Sequence, residues 1–152
     1  MFNLELDASQ LTDFHPSKMK DISPVLKAFS AYMAVQTDKQ FEHAGGPGSA
    51  VTGGEYRGVK WAPLSAKYRR RPSGAMVSPA SALLQDTGTL KQLAATEIVR
   101  ITPTTLEMGT RLPYAAAQNE KRPFLFVTDK DGDKLMAMLD DYFGRLMNRR
   151  TA

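Results

Sequence analysis

The sequence predicts a single α+β domain: a small, mostly antiparallel sheet packed against a long helix in the N-terminal half and an amphipathic helix at the C-terminal end. Three observations carry this prediction. Apolar Phe2, Leu4 and Leu6 alternate with polar Asn3, Glu5 and Asp7, the period of a strand with one buried face. The runs "EIVRI" and "TLEMGT" flank a compact turn at Thr102-Pro103-Thr104, as in a hairpin. Leu135, Met138, Leu139, Tyr142, Phe143 and Leu146 recur every three or four residues, the stripe of an amphipathic helix. Strand and helix patterns are partly segregated along the chain, which favours α+β over a doubly wound arrangement. The 152 residues suffice for one domain with an ordinary hydrophobic core.

After the first strand comes a polar link, "SQLTDFHPSKMKD". Ser23-Pro24 reads as a helix start, with Ser23 as N-cap and Pro24 in the first turn. Ile22, Val25, Leu26, Phe29, Tyr32 and Met33 form its apolar stripe, and the helix is expected to reach about His43 and stop at Gly45-Gly46. Residues 44–60 then read as a flexible glycine-rich loop. Trp61 to Leu64 re-enters the core, and Ser65 is placed to cap a short helix through about Arg70. A second loop, "RPSGAMVSPAS", leads to "LLQDTGTLKQLAA", where Asp86 or Thr87 is expected to cap a helix whose inner face includes Leu90 and Leu93. Beyond the hairpin, Tyr114–Gln118 reads as a helical turn and "FLFVT" (124–128) as a third strand. "DKDGD" (129–133) then reads as a turn in which Asp131 or Asp133 caps the last helix.

The composition narrows the chemistry. The chain has no cysteine, which removes disulfides, thiolate metal sites and cysteine nucleophiles, and fits folding in a reducing cytoplasm. No apolar run approaches the ~18 residues of a membrane span, and the N-terminus lacks a secretory pattern. A net charge of +4 permits contact with nucleic acid or an acidic partner without requiring either.

Each potential site has a simpler alternative. Ser65, between a glycine-rich run and the arginines 69–71, lacks a nucleophile-elbow pattern, and neither His15 nor His43 sits in a recognisable motif; a helix cap accounts for it. The glycine run lacks the Lys-Ser/Thr end of a phosphate-binding loop. "DKDGD" fails the calcium-loop spacing, since Lys134 stands where glycine is needed and Asp140 where a bidentate glutamate is needed. The acidic residues Glu42 and Glu55 and the pair Asp140-Asp141 read as solvated surface. Arg69, Arg70 and Arg71 are a candidate basic patch facing DNA or a partner; Arg149-Arg150 suit a helix C-terminus. No catalytic, cofactor or metal-binding residues emerge.

Taken in order, these motifs form a series. It begins with a strand, an apolar helix and a glycine-rich segment, continues with "KWAPLS" (60–65) and "LLQDTGTLKQLA" (83–94), and ends with "LEMGTRLPYAAAQNE" (106–120) and "RPFLF" (122–126). This series resembles the virion morphogenesis (tail completion) family of Mu-like tailed bacteriophages. The first part of the family pattern falls on Trp61, Pro63, Leu64 and Ser65, and the second on Leu84, Thr87, Gly88 and Leu90. The remainder falls on Gly109, Thr110, Tyr114, Ala115, Gln118, Arg122, Pro123 and Phe124. The chain departs from that pattern after the Tyr-Ala step, where it has Ala117-Gln118 and then Asn119-Glu120-Lys121, and in the longer link 71–79.

The resemblance implies a non-enzymatic structural protein of the head–tail junction, a tail-completion, tail-terminator or neck component without cofactors. Implied partners are copies of the chain in a ring, a hexamer, and either tail tube and sheath proteins or the head–tail connector, with non-specific contact to passing DNA and no membrane. The implied location is the virion, assembled in the bacterial cytoplasm. A small basic nucleic-acid-binding accessory protein is the alternative the arginines offer, and a hydrolase using Ser65 a third.

Overall fold

The computed structural model describes residues 2–9, 21–70, 73–85 and 87–151. Its organising element is helix α1 (Ser23–His43), whose Val25, Leu26, Phe29, Met33 and Phe41 are buried. Ser23 is not the N-cap: Ile22 holds that position, and the Asp21 carboxylate accepts the Ser23 amide at 2.9 Å. Asp21, one residue upstream of the cap, supplies the side-chain acceptor in its place. Ile22, also fully buried, donates its own amide to the Pro103 carbonyl, tying the helix start to the hairpin turn.

The sheet has the order β1-β5-β4, with β1 (Phe2–Asp7), β4 (Ile98–Ile101) and β5 (Thr105–Thr110) all antiparallel. Register follows the alternation read from the sequence. Leu4 pairs with Met108 and Leu6 with Leu106, placing these four on the inner face against α1. Gly109, opposite Asn3, has no room for a side chain: a Cβ there would sit 2.6 Å from the Asn3 Cα. Helix α5 (Asp129–Thr151) packs along α1 and buries Leu135, Leu139 and Phe143.

Residues 44–60 are not a loop. They form a short helix α2 (Ser49–Thr52) and a two-stranded hairpin of β2 (Gly54–Tyr56) with β3 (Val59–Trp61). Part of the glycine content reflects close packing. A Cβ on Gly45 would lie 2.6 Å from Trp61 Cζ3, and one on Gly54 would overlap the Ala44 carbonyl. At the hairpin tip Arg57 (φ +53°) and Gly58 (φ +76°) both adopt left-handed backbone, as a two-residue primed turn requires.

Three other expectations change. Ser65 caps no helix: residues 66–69 form turns in which its carbonyl accepts the Tyr68 and Arg69 amides. The chain then folds back through an Arg70–Met76 bridge. In helix α3 (Thr89–Leu93) Gly88, at φ +73°, occupies the cap position, and Thr87 offers only a 3.5 Å contact to the Thr89 amide. Leu90 is buried there and Leu93 half-buried, whereas Asp86 lies outside the described residues.

The third strand at 124–128 does not form. The amides of Phe124 and Leu125 both donate to the Asn119 Oδ1, at 2.9 and 3.0 Å, so a side chain on helix α4 (Ala115–Lys121) takes the place of a neighbouring strand. The helical turn expected at Tyr114–Gln118 extends into that helix. His15 and Arg71, too, lie outside the described residues.

Candidate functional site

Trp61, at the end of β3, is 1% exposed and sits at the meeting point of distant segments. Phe41 lies edge-on to its ring at 5.4 Å, and Phe124 lies 5.4 Å from Phe41. The indole Nε1 donates to the Pro123 carbonyl at 2.9 Å. Reciprocally, the Arg122 guanidinium reaches back to the Ala62 carbonyl through Nε (3.1 Å) and Nη2 (2.9 Å), with Pro63 O at 3.4 Å. The segments 61–63 and 122–124 are thus joined by donors of both. Burial pushes the Arg122 guanidinium below its ordinary pKa.

The residues that carry the family resemblance divide. Trp61, Leu90, Gly109, Thr110, Ala115 and Phe124 are buried; Leu64, Leu84, Gly88, Gln118, Arg122 and Pro123 are half-buried around them. Pro63, Ser65, Thr87 and Tyr114 are exposed and anchor no core. Thr110 donates its hydroxyl to the Glu97 carboxylate at 2.6 Å, and the Arg111 amide reaches the same oxygen at 2.7 Å. These two bonds hold the Glu97 carboxyl below its usual pKa.

A second cluster was not anticipated. Arg57 projects from the hairpin tip and forms an ion pair with Asp131 of α5, their side chains 9% and 2% exposed. The guanidinium also lies 4.5 Å from the centre of the Phe126 ring. Asp131 accepts from Tyr32 Oη at 2.9 Å and from both the amide and hydroxyl of Thr128 at 2.7 Å. Residues 129–133 are the first helical residues of α5 and not a turn before it; Thr128 stands at the cap and Asp131, at the third helical position, closes a capping box with it, in place of the cap expected at Asp131 or Asp133. Burial on its own raises the Asp131 carboxyl. The bonds from Thr128 and Tyr32 and the charge of Arg57 outweigh it and hold the carboxyl below its ordinary value. Tyr32 is pushed up by burial and by that same carboxylate. The spacing Thr-x-x-Asp before an apolar run is the signal for this box, and Arg-Gly between two short strands is the signal for the turn.

The expected basic patch is not assembled from what is described of it. Arg69 is half-buried, with Nε on the Leu64 carbonyl (2.9 Å) and Nη2 on that of Val51 (3.2 Å), so it holds the local fold; Arg70 is exposed. The acidic candidates pair with cations: Glu42 with Lys91, Glu55 with Lys60, Asp141 with Arg145. His43 stacks on Tyr56 with ring centres 4.8 Å apart. Ser65 is exposed, and its hydroxyl makes no hydrogen bond among the described residues. Among those residues no group of three His, Asp or Glu is placed to hold a metal. No helix among them is long and apolar enough to cross a membrane.

Beside the Trp61 junction lies an open cleft of about 1080 Å³. Leu64, Ser65, Leu84, Gln118, Lys121 and Arg122 are among its lining residues. Its position brings together residues from the 61–70 segment, the 73–85 segment and α4.

Comparison with protein-family models, with curated proteins and with solved structures finds no match.

Proposed function

We propose that the chain is a structural protein of a tailed-phage head–tail junction, a tail-completion or tail-terminator component that joins tail to head by subunit packing in a ring. The observation that carries this reading is the junction at Trp61. Residues of the resemblance that are scattered over sixty positions converge there on one packed unit, with Trp61, Phe124 and Arg122 tied to one another's segments. Beside that unit lie the segments 62–70 and 73–80, largely exposed, in which Tyr68 and Met76 are 68% and 62% accessible. Large apolar side chains in water there are suited to contact with a neighbouring subunit. The role is one of surface completion, so it needs no acid–base pair or nucleophile.

The decisive experiment is deletion of the gene followed by electron microscopy of the lysate. Filled heads and separate, unjoined tails are expected. Normal joined particles refute the role. Mass photometry of the purified chain tests the ring directly, with a hexamer expected and a concentration-independent monomer counting against it.

A further inference from the structure

We propose that the cleft beside Trp61 is a binding site for an extended, acidic chain segment of a different protein. Its volume of about 1080 Å³ lies at the upper end of the roughly 300–1,000 Å³ of small-molecule pockets, and it is open to solvent, which gives room for a length of chain. Leu64, Val77 and Leu84 give it apolar lining.

Among the described residues no aspartate or glutamate lines the cleft, whereas Lys121 and Arg122 do. Lys121 is exposed and has no carboxylate partner among the described residues. Arg122 is fixed in place by carbonyls, through Nε and Nη2, so its charge is oriented, and it has no carboxylate partner among the described residues.

The backbone at the cleft is also prepared for a main chain. Residues 83–84 form a turn, and among the described residues the amides of Ala82 and Leu84, both lining the cleft, donate no hydrogen bond. Leu84 stands at φ +57°, a conformation unfavourable for a residue with a Cβ. It is held there from both sides: the Leu83 amide bonds the Ser49 hydroxyl at 2.8 Å, and Gln85 Nε2 bonds the carbonyls of Phe41 and Gly45, both at 2.7 Å. Strain maintained by its surroundings at the rim of a cleft is a mark of ligand sites. An incoming chain offers carbonyls to the Ala82 and Leu84 amides, sets apolar side chains against Leu64 and Val77, and directs carboxylates to Lys121 and Arg122.

Charge selects the occupant. In a second copy of this chain the acidic alternating segment, β1, is already paired with β5 and is not free to enter. Nucleic acid is disfavoured by an apolar lining with two cations, since backbone binding rests on neutralising many phosphates. Binding here is independent of whether the chain serves at a head–tail junction.

The test uses the full chain, 15N-labelled, titrated with a hexapeptide of alternating glutamate and leucine, in parallel with fluorescence anisotropy of the same labelled peptide. Saturable binding is expected, with amide shifts centred on Ala82, Leu84, Lys121 and Arg122. Lys121→Glu, a surface change that leaves the spectrum dispersed, is expected to weaken binding about tenfold, as an attraction becomes a repulsion. Lys60→Glu, on the hairpin, should leave it unchanged. A lysine–leucine hexapeptide should not bind. The proposal fails if the shifts map elsewhere, if both peptides bind equally, or if Lys121→Glu is no worse than Lys60→Glu. Tighter binding of a 12-nucleotide single strand at the same amides also overturns it and assigns the cleft to nucleic acid.

Discussion

Replacing Asp131 by alanine removes the carboxylate that neutralises Arg57 while leaving the guanidinium enclosed. Arg57 is only 9% exposed, so the charge has no easy route to water, and its Nη1 has no hydrogen-bond partner among the described residues. Breaking one partner of such a pair costs about 3–5 kcal/mol. The same substitution opens the capping box with Thr128 and adds about 1 kcal/mol. Asp131→Ala is therefore expected to lose about 4–6 kcal/mol, much of the stability of a typical domain. The assay is urea unfolding at pH 7, followed by Trp61 fluorescence and far-UV circular dichroism. Adding Arg57→Met removes the orphaned charge and should recover part of the loss, since the methionine packs on Phe126. A loss below about 1.5 kcal/mol for Asp131→Ala, or no recovery in the double variant, refutes the reasoning. The pH dependence follows from the lowered carboxyl pKa. The group stabilises the fold fully above its unfolded value of 3.8 and ceases to do so as pH falls through the lower folded value. The gap between wild type and Asp131→Ala should thus begin to narrow below about pH 4 and continue to shrink as pH falls further.

Trp61→Phe removes the donor to the Pro123 carbonyl and leaves a void beside Phe41; a loss of about 2–3 kcal/mol in chemical denaturation is expected. Gly45→Ala places a methyl 2.6 Å from Trp61 Cζ3 and against the Leu83 carbonyl, and should cost about 1–3 kcal/mol with a shifted tryptophan emission maximum. Ser65→Ala should change the thermal midpoint by less than about 2 °C, because the hydroxyl is exposed and caps nothing; a larger fall would restore a structural role for it.

Elements governed by their own periodicity were legible in the sequence. The alternation in Phe2–Asp7 set both the strand and its inner face, because a single buried side enforces period two. The stripes of α1 and α5 were legible for the same reason. What could not be read were features decided by partners far along the chain. Gly45 is small because Trp61, sixteen positions on, occupies the space. "FLFVT" has strand composition but takes its hydrogen bonds from Asn119, and β-propensity has no means of registering such a competitor. Of the candidate site, the residues at Trp61 and Arg122 were singled out by resemblance, but their mutual bonds were not. Arg57–Asp131 required knowing that a hairpin tip meets a helix start 74 residues away. Arg69 looked like surface charge because nothing local shows that two carbonyls await it.

The pairing of β1 with β5 bears on how the chain is made. Asn3 and Glu107, bonded at 2.6 Å, are separated by 104 positions. β1 therefore has no partner strand to join until residues 105–110 have left the ribosome. The hairpin of β4 and β5 closes locally and serves as the template onto which the waiting strand docks. While residues 8–104 are being made, the amphipathic alternation of residues 2–7 stands unpaired by β5. Until the hairpin emerges, that segment is a site for chaperone capture and for mispairing with other nascent chains on the same message.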